Sequence, residues 1–490
     1  MSVHAGIDIG TSGVKVVLME DCRRLLAEAS QAITVDVAQI GWSEQDPDLW
    51  VSAVFSCLDR LAADAPGPLS AVEGLGLSGQ MLAALLLDRD LRPVRPAMLW
   101  NDQRATAECA ELLARCPDIS QRSNGAPDPG ITAPKLLWLA RHEPETLARA
   151  RMLLLPKDYV RLALTGDLAS EPTDAGGTQL FDCLHAVWDD AFCRAAGWPI
   201  DQLPPLVQPW QEAGQLRPDL ARRWGMRAGL VVAAGAGDNM AATIGVGAAR
   251  PGEAVLTIGT SGVACLVDAG FHPAPHAAVL TSAHAAPDSF LSMGVVMSAT
   301  ASLDWAARLT GSDAGTLARE AESFAETGRI DQAPVFLPSL KGIRTPLNRP
   351  EATGRIHGLH PGTDRAMLGY ATMEGVAFQF ADCVAAQRAA GVAAYRFAAV
   401  GGGTRSRLWT RLLATSLNEP LALPANAAIS APGGAARLGA VASGAGAPLD
   451  IIGAGMTREG EDEPVIEPCP RLAGILAERL KAFHALLPQA

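Results

Sequence analysis

Apolar residues along the chain follow two spacings, one typical of helices and one typical of buried strands. Asp46 and Pro47 suit the start of a helix, because aspartate caps the first turn and proline fits the first helical position. The apolar residues that follow recur at helical spacing and predict one buried face: Trp50, Val54, Leu58 and Leu61. Residues 72–77 and 230–234 are short apolar runs that predict buried strands, each followed by a glycine turn.

Helical spacing recurs in the rest of the chain. Thr132 is placed to cap a helix over the leucine-rich segment 136–139. Two more helices are predicted over residues 367–385 and 408–417, the second directly after three glycines. Strands that alternate with helices in this way predict an α/β fold.

A six-residue repeat divides the chain into two halves. Residues 9–14 and residues 258–263 both read IGTSGV, at an offset close to half of the 490-residue chain. Each copy lies beside apolar β-type segments, so each is expected to form the turn of a β-hairpin. The repeat predicts two domains of like fold, at residues 1–244 and 245–490, with the cleft between them as the default ligand site.

Composition and charge exclude some classes of protein. Hydrophobic residues make up 49% and charged residues 19% of the chain, which excludes general disorder. The net charge of −12 comes without a basic tract, so no nucleic acid is expected as a partner. The nine cysteines form no CxxC pair, which favours reduced thiols in a reducing compartment over disulfides or a zinc site.

The sequence does not predict a membrane protein. The first ten residues lack a basic region followed by an apolar core, so no signal peptide is expected. Residues 229–249 carry a single charge, Asp238, and are long enough to span a membrane. Their glycines and the GDN triplet favour strand, turn and helix instead. A cytoplasmic protein without a membrane partner is therefore expected.

The first copy of the repeat combines an acid with a glycine turn. Asp8 ends a predicted strand, and Gly10, Thr11 and Ser12 offer N–H and hydroxyl donors to phosphate, with Lys15 close behind. The acid can hold Mg²⁺. An ordinary hairpin turn is the alternative for one copy alone, but the second copy favours a phosphate-binding turn in each domain: Gly259, Thr260 and Ser261. No GxxxxGK[ST] motif occurs, which excludes a P-loop NTPase.

Asp238 stands alone among apolar residues, directly after the turn Gly235-Ala236-Gly237. One interpretation is a helix cap. The other is a general base that accepts a hydroxyl proton during phosphoryl transfer. Apolar surroundings raise the pKa of a carboxylate, and a structural acid has little reason to stand alone there, so the second interpretation is favoured.

Three more segments are candidates for ligand contacts. The glycines at 401–403 stand between an apolar run and a helix, where an adenine or ribose could lie against the backbone; a tight connection without a ligand is the alternative. Two segments supply groups of the kind that contact sugar hydroxyls: Gln80, Met81, Trp100, Asn101 and Asp102. For these residues packing or a turn is the alternative interpretation.

These motifs resemble those of the FGGY family of carbohydrate kinases, and the matching segments run in the family's order along most of the chain. The most specific are DIGTSGVKVVL at 8–18, WSEQDPDLW at 42–50, LLPKDYVRL at 154–162, AGAGDN at 234–239 and GGGTRS at 401–406. WSEQDP and LLPKDYVRL are most similar to the branch of the family that phosphorylates D-xylulose.

The resemblance implies two actin-like domains of the hexokinase type around a catalytic cleft, with ATP and Mg²⁺ as cofactors and a sugar or polyol as substrate. It implies that Asp238 is the catalytic base and that Asp8, with Asp238, places the metal. The two glycine turns and Lys15 are implied to bind phosphates, and residues 401–403 the nucleoside. The residues implied to line the sugar pocket are Gln80, Met81, Leu82, Trp100, Asn101, Asp102, Asp238 and Asn239. A homodimer is compatible with the resemblance.

The sequence departs from the family pattern at three places. Leu82 and Ala83 stand where the xylulose branch has His and Gly, which removes an imidazole that would meet a sugar hydroxyl. Ile343 and Thr415 stand where the family has acids. Kinases for another ketose or polyol (ribulose, a deoxyketose or a tetritol) therefore stay open as alternatives. An actin-like or chaperone-like ATPase switch is a further one.

Overall fold

Each of two structural units is built on a sheet that contains one of the two predicted hairpins. The computed structural model describes residues 2–424, 429–456 and 464–488. The first unit comprises Met1–Arg250, Thr281–Leu291 and Ile429–Ala454. The second unit comprises Pro251–Leu280, Ser292–Ala428 and Gly455–Ala490.

The first unit has a mixed sheet around the hairpin of Val3–Ile9 and Gly13–Glu20. Val72–Gly79 pairs in parallel with Val3–Ile9, and Ala236–Gly237 pairs in parallel with the end of Val72–Gly79. Across the sheet the hydrogen-bonded order is Glu212–Gln215, Val231–Ala233, Val72–Gly79, Val3–Ile9, Gly13–Glu20 and Arg24–Ala32. Short strand pairs are Glu44–Gln45 with Ala97–Met98, Leu85–Leu87 with Met152–Leu154, and Phe181–Asp182 with Val187–Trp188.

The second unit repeats this plan around the hairpin of Gly252–Ile258 and Gly262–Asp268. Ala394–Val400 pairs in parallel with Gly252–Ile258, as Val72–Gly79 does with the first hairpin. Leu421–Ala422 and Val465–Ile466 follow along the same edge. Val335–Leu337 pairs with Arg355–His357, and Leu280–Ala283 and Phe290–Val296 are two further strands, of which residues 281–291 belong to the first unit. The two hairpins confirm that the repeated IGTSGV marks two units of like fold.

Helices cover both sheets. Those of the first unit are Pro47–Asp64, Pro66–Ser70, Thr106–Arg115, Ile119–Arg122, Thr132–His142, Pro144–Arg149, Pro156–Thr165, Pro172–Gly176, Asp190–Ala196, Pro218–Trp224, Asp238–Val246, Ser430–Ala442 and Pro448–Ile452, with a 3-10 turn at Ile200–Gln202. Those of the second unit are Thr300–Leu309, Ala314–Glu326, Arg365–Ala389, Arg407–Leu417 and Pro470–His484, with 3-10 turns at Pro275–Ala277, Ile330–Gln332 and Gly402–Arg405.

Most predicted elements are confirmed, and one predicted cap is wrong. The side chain of Asp46 accepts the N–H of Asp48 at the start of Pro47–Asp64, whose predicted apolar face is buried. The predicted strands and the two helices of the second half are present. Thr132 begins its helix but does not cap it, because its hydroxyl donates to the carbonyl of Leu82 at 3.0 Å.

The first unit is not one continuous segment that ends near residue 244, because it also includes two later segments of the chain. Residues 429–454 return to the first unit, where the helix Ser430–Ala442 packs on the sheet at van der Waals distance. A Cβ atom on Gly76 would lie 1.9 Å from the carbonyl oxygen of Ala435, so only glycine allows this approach of helix to strand. Close backbone packing therefore assigns this late helix to the first unit.

The state of the thiols and the character of the helices bear on two further expectations. None of the nine cysteines forms a disulfide bond, and seven of them are buried. Among the helices of the described residues, none combines the length and the apolar character that a membrane crossing needs.

Candidate active site

Asp8 lies between two cross-strand neighbours at the end of its strand. It stands opposite Lys15 in the antiparallel pair and opposite Ser78 in the parallel pair. The hydroxyl of Ser78 donates to Oδ1 of Asp8 at 2.6 Å, and burial raises the pKa of Asp8. The ammonium of Lys15 lies 2.8 Å from Oε2 of Glu28. A phosphate contact of Lys15 would therefore require that ion pair to open.

The turn after Asp8 is joined to the candidate sugar residues. The N–H of Gly10 donates to the carbonyl of Gly13 at 3.0 Å and closes the turn. The hydroxyl of Thr11 donates to Oε1 of Gln80 and accepts from Nε1 of Trp100, both at 3.0 Å. Ser12 is exposed at the tip of the turn. Thr11 is therefore in direct contact with two residues, Gln80 and Trp100, that the sequence analysis assigns to the sugar pocket.

Gln45 supports the hydrogen-bonded group of Thr11, Gln80 and Trp100. Its local sequence did not indicate this role. Its amide nitrogen donates to the carbonyls of Thr11 at 2.8 Å and Thr34 at 3.0 Å. Its oxygen accepts from the indole of Trp50 at 2.9 Å and from Nε2 of Gln80 at 2.8 Å. The side-chain amide is therefore fully hydrogen-bonded and fixes which end of Gln80 faces Thr11.

Asp238 is the first residue of the helix Asp238–Val246, and Gly237 occupies the cap position. The cap interpretation of Asp238 is therefore wrong. Its Oδ1 accepts the backbone N–H of Asn239 at 2.7 Å and the amide of the same residue at 2.9 Å. Burial and, to a lesser extent, the negative charge of Asp8 raise the pKa of Asp238 to about 7, although the hydrogen bonds from Asn239 act against this shift. This carboxylate exchanges its proton near neutral pH.

Met81 and Leu82 pack against glycines of neighbouring segments. A Cβ atom on Gly237 would lie 2.5 Å from the sulfur of Met81, which places Met81 directly beside the residue before Asp238. Leu82 has a left-handed backbone with φ of 69°. Its Cδ2 would be 2.5 Å from a Cβ atom on Gly177, so Leu82 fills the space that this glycine leaves.

The segment 100–102 divides into exposed and buried residues. Trp100 is 48% exposed, and Asn101 is exposed beside it. Asp102 is fully buried, and its Oδ2 accepts the N–H of Ser43 at 2.7 Å and an N–H of Arg104 at 2.6 Å. Trp100 and Asn101 are therefore accessible to a ligand, whereas the carboxylate of Asp102 anchors the loop from inside.

A buried ionic group lies near the start of the Asp238 helix. The ammonium of Lys157 lies 2.7 Å from Asp158 and 3.2 Å from both Glu171 and Asp174. Arg161 also contacts Asp158, at 2.9 Å. Two cations thus face three carboxyl groups, and burial raises the pKa of Asp174 well above its usual range.

Thr173 connects this group to the candidate base. Its hydroxyl donates to Oε1 of Glu171 at 2.9 Å and accepts the N–H of Gly237 at 2.9 Å. Both Thr173 and Glu171 are fully buried. LLPKDYVRL, which contains Lys157 and Asp158, carries the family resemblance in the sequence, but no local pattern predicts this connection.

The second unit carries its own glycine turn. The N–H of Gly259 donates to the carbonyl of Ser261 at 3.0 Å, one residue earlier in the turn than the corresponding acceptor of the first copy, Gly13. The carbonyls of Gly259 and Thr260 accept the N–H groups of Thr300 and Ala299, at the start of the helix Thr300–Leu309. Thr260 and Ser261 are exposed, so their hydroxyls and backbone N–H groups are accessible to an anion.

Two of the three glycines at 401–403, Gly402 and Gly403, border a cavity in the second unit. Gly401 has φ of 98°, and a Cβ atom there would lie 2.6 Å from the carbonyl of Ile258. The cavity has a volume of about 470 Å³, the size of a small-molecule site. Its lining includes Thr300, Asp304, Gly402, Gly403, Ser406 and Trp409. This is the position that the sequence assigns to the nucleoside.

The two other departures from the family pattern have structural roles. Ile343 is buried in the core of the second unit. The hydroxyl of Thr415 donates to the carbonyl of Arg411 at 2.7 Å and accepts the N–H of Cys469 at 3.0 Å.

The geometry gives the first unit the parts of a proton-accepting site. Asp8 and Asp238 are close enough for the charge of one to raise the pKa of the other. The hydroxyl of Thr11, the side-chain amide of Gln80 and the indole N–H of Trp100 form one hydrogen-bonded group. No group of three or more His, Cys, Asp or Glu side chains able to hold a metal occurs among the described residues. Two carboxylates are therefore the acidic groups available to a cation here.

Both halves of the chain match a known family. Residues 3–245 match the model of the FGGY family of carbohydrate kinases, N-terminal domain, and residues 254–443 match that of the C-terminal domain. The chain is 40% identical over 443 residues to the xylulose kinase of Escherichia coli (strain K12), with 90% of each chain covered. The structure of a "xyloylose kinase" from Brucella ovis matches with a TM-score of 0.92, 38% identity and 99% of both chains. That of xylulose kinase from Rhodospirillum rubrum has a TM-score of 0.89 at 27% identity, with 99% of this chain and 98% of that chain covered.

Proposed function

Since the chain belongs to the FGGY family of carbohydrate kinases, we propose that it transfers the γ-phosphoryl group of ATP to a terminal hydroxyl of D-xylulose. The family makes the chain a phosphotransferase with an alcohol as acceptor. The choice of D-xylulose follows the names of its relatives, whose similarity extends over nearly the whole chain.

One observation carries the chemical part of the proposal: Asp238 is a partly buried carboxylate whose pKa lies at about 7. A general base works best when its pKa is close to the working pH, because it is then both deprotonated and able to hold a proton. An ordinary surface carboxylate is too weak a base for this task.

In the proposed reaction Asp238 accepts the proton of the acceptor hydroxyl as that oxygen attacks phosphorus. The two N–H donors of Asn239 hold one carboxylate oxygen in place and leave the other for the hydroxyl. Gln80, Met81, Leu82, Trp100 and Asn101 are the proposed walls of the acceptor pocket. Asp102 supports them from inside the loop.

The carboxylates of Asp8 and Asp238 are chemically suited to bind a divalent cation. Asp8 and Asp238 supply hard carboxylate oxygens, which Mg²⁺ prefers, and their mutual repulsion would be relieved by a cation. We therefore assign Asp8, with Asp238, to Mg²⁺. A bound Mg²⁺ supplies positive charge to the phosphate oxygens during transfer.

ATP is assigned to the glycine turns and to the cavity of the second unit. Residues 10–12 and 259–261 are the proposed phosphate-binding turns, in which Ser12, Thr260 and Ser261 are exposed. Gly402 and Gly403 border the cavity proposed for the nucleoside. A homodimer and a cytoplasmic location stay predictions from the resemblance.

A panel of acceptors tests the proposal directly. ADP release is coupled to a spectroscopic signal with D-xylulose, D-ribulose, a deoxyketose and a tetritol, and each product is identified. We expect D-xylulose to have the highest kcat/KM. Preference for another acceptor would contradict the substrate, and ADP release that no acceptor stimulates would favour the ATPase switch. The Asp238→Asn variant is the control and should lose at least ~10²-fold in kcat.

A further inference from the structure

We infer that Lys135 is a positioning residue of the acceptor pocket, which fixes the backbone of three segments that form or support the pocket. The inference rests on the proposed function, because the pocket residues are assigned there. Lys135 lies on the helix Thr132–His142 and its side chain is fully buried.

Within the described part of the chain, the hydrogen bonds of the Lys135 ammonium all go to backbone carbonyls. Its Nζ lies 2.6 Å from the oxygen of Gly130, 2.7 Å from that of Leu99 and 3.0 Å from that of Leu82, with Met98 further away at 3.4 Å. An ammonium has three N–H donors, and three separate segments supply the three closest acceptors. One side chain therefore joins loops that are distant in sequence.

One of these contacts is made with a residue assigned to the acceptor pocket, Leu82. The carbonyl of Leu82 also accepts the hydroxyl of Thr132 at 3.0 Å. Leu82 has a left-handed backbone, which a non-glycine residue adopts only when its surroundings hold it there. Lys135 and Thr132 together hold it and thereby direct the Leu82 side chain toward Gly177.

The other contacts fix Trp100 from two sides. Leu99 directly precedes Trp100, and Gly130 lies behind it, since a Cβ atom on Gly130 would be 1.9 Å from the carbonyl oxygen of Trp100. Trp100 in turn donates to Thr11 in the first glycine turn. A shift of Lys135 would therefore move both Leu82 and Trp100.

Burial of a charge is costly, and this one has no carboxylate at contact distance among the described residues. Burial lowers the pKa of Lys135 to about 7, although the charges of Asp102 and Asp128 act against that shift. A core position that served stability alone would be filled better by an apolar side chain. The role of this lysine is therefore to fix the backbone geometry of the three segments that it joins.

Two variants test the inference, with two controls. Lys135→Met keeps the length of the side chain and removes all donors; Thr132→Val keeps the shape and removes one donor to Leu82. Thr132→Ser restores the hydroxyl. Thr372→Val removes a buried hydroxyl that donates to Leu368 in the helix Arg365–Ala389 of the second unit. KM for the acceptor, KM for ATP and the ratio of kcat/KM for D-xylulose and D-ribulose are measured for each.

We expect both test variants to raise the acceptor KM about tenfold and to change the ratio between the two sugars, with KM for ATP within about twofold of wild type. Thr132→Ser should restore most of the wild-type acceptor KM, and Thr372→Val should match wild type. A folded Lys135→Met with a lower Tm but an unchanged acceptor KM would overturn the inference. If Lys135→Met does not fold, Thr132→Val decides on the same criterion.

If the proposed function is wrong, wild-type protein itself will not phosphorylate D-xylulose, and the positioning role is then tested in another way. If wild-type protein turns over another sugar, the same comparison is made with that sugar. If it turns over none, hydrogen exchange of the amides at 82–84 and 99–102 is compared instead. Faster exchange there in Thr132→Val than in Thr132→Ser supports the positioning role, and equal exchange overturns it.

Discussion

The hydroxyl of Thr173 accepts the N–H of Gly237 at 2.9 Å, and this bond ties the residue in front of Asp238 to a buried ionic group. The same hydroxyl donates to Glu171, which lies 3.2 Å from the ammonium of Lys157. Gly237 is the cap residue of the helix Asp238–Val246. Its position therefore sets the position of the next residue, Asp238, and of its carboxylate. A chain of fully buried, charge-assisted contacts therefore holds the proposed base.

Replacement of Thr173 by valine removes both hydrogen bonds and keeps the shape of the side chain. We expect kcat to fall about tenfold, because one buried hydrogen bond is worth about 1–2 kcal/mol, while KM for ATP stays unchanged. Thr173→Ser should restore most of kcat. Steady-state kinetics over both substrates measures the difference, and a variant that is only less stable, with normal kcat, would show that the bond does not position the base.

The protonation of Asp238 should control activity near neutral pH. As a base it must be deprotonated, so kcat should rise with pH and level off above an apparent pKa of about 7. Asp8→Asn removes a negative charge that raises this pKa, so the rise should move to lower pH in that variant. Measurement of kcat from pH 5 to 9 tests both statements. A profile that is flat across this range in wild type would contradict the assignment of the base.

The same substitution should weaken the dependence on Mg²⁺. Asp8 supplies one of the two carboxylates proposed for the cation, and asparagine lacks the charge that binds it. We expect the concentration of Mg²⁺ that gives half of the maximal rate to increase about tenfold or more in Asp8→Asn. Glu28→Gln is a matched control, since Glu28 contacts Lys15 on the neighbouring strand. An unchanged Mg²⁺ requirement in Asp8→Asn would remove Asp8 from the metal site.

The sequence predicted those parts of the fold that depend on local pattern. The two IGTSGV turns lie between strands in both units because glycine-rich turns and apolar strands are encoded by neighbouring residues. The return of the helix Ser430–Ala442 to the first unit was not predicted, because it depends on the fit between its backbone and Gly76, more than 300 residues earlier in the printed sequence.

The candidate site likewise contains residues that local sequence predicts and residues that it does not. Asp8 and Asp238 were found because each is an acid in an unusual local setting. Gln45, Lys135 and Thr173 are ordinary polar residues whose roles arise from partners elsewhere; Thr173 and Gly237, for example, are 64 residues apart. Asp102 shows the opposite case, since its sequence setting suggested a ligand contact while Arg104 and Ser43 occupy its oxygens.

The raised pKa of Asp238 should also cost stability, and the sign of the effect can be stated. The pKa is about 7 in the folded chain and close to 3.8 in the unfolded chain, so the folded state binds the proton more tightly. The stabilisation from this proton is complete below pH 3.8 and is lost as the pH rises to 7. Asp238→Asn cannot ionise and escapes that loss. We therefore expect the Tm of Asp238→Asn to exceed that of wild type by about 2 °C or more at pH 8, and by less near pH 4.

Asp313→Asn is the control for this comparison. The bonds from Thr316 lower the pKa of the exposed Asp313, so its replacement removes a favourable charge and should not raise Tm at pH 8. Thermal unfolding of the three proteins at pH 4, 6 and 8 provides the measurement. Equal Tm differences at all three pH values would mean that Asp238 is not held in a setting that resists its ionisation, and the base would then lack the physical property on which its assignment depends.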